Sequence, residues 1–197
     1  MPELILASTS PTRRALLEAA GLRVTCVGPG VDERAASAGL TDPVEIASRL
    51  ARAKALAVAA RYPEAFVLGA DQVVTDGVEV WGKPANPEEH LRQLQRLRGR
   101  PHDLVSSYCL LGPATDAAPA SDEGVERTRL WVRADLDDDE LRAYVATGEG
   151  AGCAGGYAIE GRGGQLFERV DGDWYNILGL PMFRVISALR RQGWRLA

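Results

Sequence analysis

Histidine is scarce in this 197-residue chain: His90 and His102 are the only two. A metal centre built on several histidines is therefore excluded. Cysteine is nearly as sparse. Cys26, Cys109 and Cys153 form no CxxC pair, and their odd number suits a reducing compartment better than a disulfide framework or a zinc site. No apolar run approaches the roughly 18 residues a membrane helix needs, and the N-terminus has no basic stretch ahead of a long apolar core. The expectation is a cytoplasmic protein with no membrane partner. Positive charge is in deficit as well: 23 Lys and Arg against 27 Asp and Glu leave a formal net charge of −4. That argues against a general nucleic-acid polymer binder and leaves room for a small anion held by a few well-placed cations. The GxxxxGK[ST] and GxSxG patterns are missing, and the glycine clusters do not follow the strand-helix layout of a dinucleotide fingerprint.

What is present is the composition of a folded protein, 46% hydrophobic and 25% charged. Its length suits one domain over 1–197, or two lobes sharing a core. Strand and helix patterns alternate along most of the chain. Strands are predicted at Leu4 to Leu6, in "RVTCVG", "AFVLGADQVV", "HDLVSSYCLLG" and "VERTRLWVRADL", with a hairpin turn at Asp76-Gly77. Helices are predicted from Ser10 and Pro11 to Gly21, from about Asp42 to Arg61, from about Pro87 to Leu97, in "DDDELRAYVATGE" and in "LPMFRVISALRRQG". "PATDAAPASDEG" reads as a surface loop, and the Gly-rich run after Glu149 as turns around short strands. The order favours an α/β or mixed α+β fold around a central twisted sheet.

The joint "LILASTSPTRRALL" sends a buried strand straight into a helix N-terminus with serine hydroxyls and the guanidinium groups of Arg13 and Arg14. It reads either as a phosphate cradle or as an ordinary capped helix with two solvated arginines. Lys54 falls in the middle of the apolar stripe Ile46, Ala47, Leu50, Ala57 and Val58, so it is either a ligand or a packed stem with its ammonium turned to water. Asp71, inside an apolar strand, is either a strand-end acid or a paired acid in a cleft. Together, Arg13, Lys54 and Lys83 supply cations, while Glu33 and Asp71 supply carboxylates for a hard divalent cation or for activating water. Hydrolysis of a phosphate anhydride requires such a set.

These residues lie in ordered blocks that resemble the Maf family of nucleoside triphosphate pyrophosphatases: "LASTSPTRRALL", "VDE", "RLARAKA", "GADQVV", "WGKP", "GRPH", "VATGE", "AGGYAIEG" and "NILGLP". The resemblance implies an inosine-triphosphatase-like α/β fold with two lobes around a cleft, a magnesium- or manganese-dependent reaction, a nucleoside triphosphate substrate and a homodimer. It makes Asp71 the proton acceptor, sets Ser8, Arg13, Lys54 and Lys83 around the phosphates, and puts Glu33 with Asp71 near the metal. It ties base preference to Thr12, Gln72 and Glu160. Gln72 and Glu160 match the branch that acts on 7-methyl-GTP, and a glutamate carboxylate is suited to accept from guanine N1–H and its exocyclic amine. Thr12 lacks that branch's stacking tryptophan, and "GGYAIEG" otherwise resembles the dTTP and UTP branch, which is the alternative. The family's association with septum formation leaves a third reading, a nucleotide-binding regulator without turnover.

Overall fold

The computed structural model describes residues 3–114 and 120–195. Among the described residues seven strands form a mixed sheet with helices packed on it, and the chain divides into two compact units. Unit one comprises Met1–Gln72, Ser106–Glu126 and Gly179–Ala197; unit two comprises Val73–Val105 and Arg127–Leu178. No helix among the described residues is long and apolar enough to cross a membrane.

β1 (Leu4–Leu6), in unit one, runs parallel to β2 (Val24–Cys26) and to β3 (Phe66–Thr75), and the strand order of the sheet is β2-β1-β3-β5-β6, with β5 at Pro101–Leu111 and β6 at Ser121–Val132. Because side chains alternate along a strand, β1 and β3 feed two cores. Leu4, Leu6, Phe66, Leu68 and Ala70 pack with Leu17 of α1 (Pro11–Ala19) and with Met182, Val185, Ala188 and Leu189 of α7 (Met182–Arg191). Ile5, Ala7 and Val67 pack on the opposite face, against Ala51, Ala55 and Val58 of α3 (Pro43–Ala59). A sheet covered on both faces explains why β1 and β3 read as continuous apolar runs and not as alternating ones.

The predicted helix starts hold. Ser10 caps α1 by accepting from Arg13 N, Asp42 caps α3 by accepting from Val44 N, and Pro11 and Pro43 stand in the first turns. A short helix that the pattern did not announce, α2 (Glu33–Ala36), is capped by Asp32. Of the predicted loop "PATDAAPASDEG", residues 115–119 lie outside the described residues, and Ser121 to Gly124 open β6 instead.

In unit two, β4 (Val80–Trp81) and β7 (Phe167–Asp171) pair antiparallel with β3 and β6. Its core joins Val74, Leu104, Leu130 and Val132 to Leu94 and Leu97 of α4 (Pro87–Leu97), to Leu141 and Tyr144 of α5 (Asp138–Ala146), and to Ile177 of α6 (Trp174–Ile177). The Gly-rich run folds into turns and a 3₁₀ helix, Arg162–Leu166, before β7.

His102 lies inside this second core. Its Nε2 is 2.7 Å from Tyr157 Oη, its ring meets Tyr157 and Phe167, and its Nδ1 has no hydrogen-bond partner among the described residues. Burial pulls its pKa down from 6.5 to about 4, against the pull of Asp103. The unfolded chain therefore takes up a proton near pH 6.5 that the folded chain refuses until about pH 4. Stability from this group is complete above pH 6.5 and is lost as pH falls towards 4, by about 3 kcal/mol in all. We expect urea midpoints of the wild type to fall more steeply between pH 7 and 4.5 than those of His102→Gln. Parallel pH curves would remove His102 as the cause.

Candidate active site

The candidate residues of unit one come from the turn after β1, the first turns of α1 and α2, and the interiors of α3 and β3. After β1 the chain turns through Ser8, whose N–H donates to Leu6 O at 2.8 Å and whose Oγ accepts from Ser10 N at 3.1 Å. Ser8 is buried, and Ser10 in turn takes the Arg13 N–H at 3.3 Å. Several amides of the joint are thus satisfied internally, so its positive character rests on the helix end and on Arg13.

Arg13 and Arg14 part company, because adjacent residues on a helix point about 100° apart. Arg14 is exposed and pairs with Glu18 at 2.8 Å. Arg13 is half-buried, donating from Nε to Gly179 O at 2.7 Å and from Nη1 to Ala70 O at 2.9 Å. Gly179 has φ +97°, a backbone conformation that a residue with a Cβ rarely adopts. Burial lowers the Arg13 pKa, and the carboxylates of Asp71 and Glu33 oppose that shift.

Lys54 does not turn its ammonium to water: it is 6% exposed, and its ammonium points inwards. Its Nζ lies 2.6 Å from Asp71 Oδ1 and 2.7 Å from Glu33 Oε1. Asp71 is buried and shares the β3 face of Val67 and Gly69, the face that looks at α3. Burial raises the Asp71 pKa, Lys54 and Arg13 pull it down, Glu33 pushes it up, and the net direction is upwards. Glu33 opens α2 and is exposed, so the pair of acids has one member in the protein and one at its surface.

Gln72 points to the other face of β3, with its Nε2 donating to Ser106 Oγ at 3.2 Å. Thr12 is half-buried in the first turn of α1. Lys83 and Glu160 belong to unit two and are exposed there. Both act electrostatically on the Cys153 thiol, which burial and then Glu160 push up and Lys83 pulls down. Sequence reasoning missed the carbonyls of Ala70 and Gly179, which aim Arg13. The only signal for them was their place in the blocks "GADQVV" and "NILGLP".

Among the described residues, no group of three or more His, Cys, Asp or Glu side chains is arranged to hold a metal ion. Glu33 and Asp71 nevertheless supply hard oxygen donors on either side of one ammonium. Magnesium is commonly held by one or two carboxylates together with substrate phosphates, and these two residues suit a cation that arrives in that way.

The sequence model of the Maf-like protein family matches residues 3–192, and the chain belongs to that family. The dTTP/UTP pyrophosphatase of Thermus thermophilus is 43% identical over 195 residues, 98% of this chain and 97% of that protein. The proteins of the same name from Symbiobacterium thermophilum and Dictyoglomus thermophilum are 41% and 39% identical, and each alignment again covers 98% of this chain. They cover 96% and 98% of those proteins. These relatives bear the pyrimidine name and not the methylguanine one to which Gln72 and Glu160 pointed. Among solved structures, the Ham1 protein of Staphylococcus aureus aligns with 65% of this chain and 71% of its own, at 17% identity and a TM-score of 0.44.

Proposed function

We propose that this chain hydrolyses dTTP and UTP to the nucleoside monophosphate and pyrophosphate. Its family and relatives make it a hydrolase of acid anhydrides in triphosphates. The reaction in this reading is carried by the Arg13, Lys54, Glu33 and Asp71 cluster, two cations and two acids in mutual electrostatic reach in unit one, and the choice of dTTP and UTP by the relatives that bear that name. In this reading Asp71 takes a proton from water as the water oxygen bonds to the α-phosphorus. The bond from that phosphorus to the α,β-bridging oxygen breaks, and pyrophosphate leaves with the electron pair. Ser8, Arg13, Lys54 and Lys83 each offset phosphate charge or donate to phosphate oxygens. Glu33 and Asp71 would hold magnesium or manganese, which when bound supplies further charge neutralisation. The family resemblance behind this reading also implies one functional domain over 1–197 and a cytoplasmic homodimer.

A second reading, 7-methyl-GTP as substrate, is favoured by Gln72 and Glu160. An acceptor-only carboxylate at position 160 complements guanine N1–H and its amine, and it meets a pyrimidine O2 or O4 without a proton to share. The test is pyrophosphate release from dTTP, UTP, CTP, GTP and 7-methyl-GTP by the wild type and by Glu160→Gln. The expected order puts dTTP and UTP first by about tenfold in kcat/KM, with Glu160→Gln keeping that order. Turnover of 7-methyl-GTP ahead of the others, shifting away from guanine in Glu160→Gln, would replace the proposal with the second reading.

A further inference from the structure

We propose that Arg92 is a further phosphate-binding residue, forming with Lys83 a two-cation groove for the pyrophosphate moiety, whether within the nucleotide or as released product. The inference rests on the reading of Lys83 as a phosphate ligand. A groove of about 310 Å³ in unit two is lined by Val80 to Lys83 on one side and by Glu89, Arg92, Gln93 and Arg96 of α4 on the other. Those four α4 positions stand at i, i+3, i+4 and i+7, a single helix face.

Three of them are already engaged. Arg96 pairs with Asp76 at 2.9 Å and with Glu79 at 2.5 Å, and its guanidinium carbon lies 4.7 Å from the centre of the Trp81 ring. Glu89 is the one acid in the lining, and its carboxylate takes the Ala85 N–H at 3.0 Å. Gln93 donates to Ala154 O at 2.8 Å. Lys83 and Arg92 are exposed and have no hydrogen bond or ion pair among the described residues. The groove therefore has a fixed wall, Arg96 on Trp81, and two uncommitted cations.

A diphosphate suits that arrangement. It carries several negative charges on oxygens attached to two phosphorus atoms, more than one lysine offsets. A guanidinium adds a planar fork that takes two phosphate oxygens at once, where a lysine acts as a point charge. A monophosphate brings less charge and fewer oxygens to the same two cations.

The test uses the full chain, titrated with inorganic pyrophosphate in a calorimeter and assayed for pyrophosphate inhibition and for triphosphate KM and kcat. For Arg92→Gln we expect pyrophosphate binding and inhibition to weaken about tenfold, with kcat held within about twofold and the melting temperature unchanged. Arg92→Lys should recover part of the affinity. A rise in KM by the same factor assigns the groove to the bound nucleotide, and an unchanged KM with weaker pyrophosphate binding assigns it to the leaving product. Weaker binding in both Arg92→Gln and Lys83→Gln supports the proposal. A loss confined to Lys83→Gln overturns it and leaves the reading of Lys83 standing, and no loss in either variant overturns both. A fall in kcat or melting temperature without a change in pyrophosphate affinity would make Arg92 merely structural and also overturn the proposal.

Discussion

Asp71→Asn is expected to lower pyrophosphate release by about a thousandfold at neutral pH, within the range lost when a positioned general base is removed. Asparagine keeps the size and the planar head of the side chain, so the packing between β3 and α3 is retained. It cannot take the proton that water loses on attacking the α-phosphorus. Lys54, 2.6 Å from the carboxylate in the native protein, keeps Glu33 as a partner at 2.7 Å, so the substitution does not strand an unpaired ammonium. The loss should therefore fall on kcat and not on folding.

The same experiment has a pH signature. Burial raises the Asp71 pKa above its ordinary value of 3.8, with Lys54 and Arg13 opposing and Glu33 assisting. Only the deprotonated acid accepts a proton, so the wild-type rate should fall as pH drops through a midpoint above 3.8. The residual rate of Asp71→Asn should lack that acid limb. Release of pyrophosphate followed between pH 4 and 8 reads both effects. A variant that turns over within about tenfold of the wild type, or that keeps the limb, would remove Asp71 from the role.

Much of this site was legible as residue types and little of it as directions. Ser10 and Pro11 announced the start of α1, and the apolar run around Asp71 announced a buried strand, because caps and burial are local properties. The choice at Lys54 between an inward ligand and an outward-turned ammonium was not local. It depends on how near α3 comes to β3, a tertiary distance that the stripe of Ile46, Leu50 and Val58 does not contain. The two arginines illustrate the same limit. Their sequence context is almost identical, yet the carbonyls of Ala70 and Gly179, 57 and 166 residues away, make Arg13 the aimed one. Short elements escaped for a different reason. α2 has four residues, fewer than two turns, so it shows no periodicity and only Asp32 hints at it. Ser121 to Gly124 read as loop because they are polar and end in glycine. In the fold that glycine lies under the Tyr108 ring, where a Cβ would stand 2.7 Å from Cε1, which is a reason for glycine in a strand.

Gly69→Val is expected to destabilise the fold by about 4 kcal/mol and lower the melting temperature by roughly 10 °C, the second large effect. Gly69 lies on β3 between Val67 and Asp71, on the face towards α3. A Cβ there would meet Ala51 O at 2.2 Å, Ala55 N at 2.7 Å and Ala55 Cβ at 2.9 Å. The first two are backbone atoms of a helix held by its own hydrogen bonds, so no rotamer change relieves the contact. Either α3 moves off the sheet, exposing Ala51, Ala55 and Val58, or β3 bends away from β1. Any retreat of α3 also carries Lys54 away from Asp71, because the two are joined across this gap and over a contact of only 2.6 Å. Activity should therefore fall further than the folded fraction does. Trimming the one side chain involved, in Gly69→Val with Ala55→Gly, should restore little of the stability, since Ala51 O remains in place. Urea unfolding of the single and double variants measures this, and a single variant within about 1 kcal/mol of the wild type would mean that the spacing of α3 and β3 is not what sets the site.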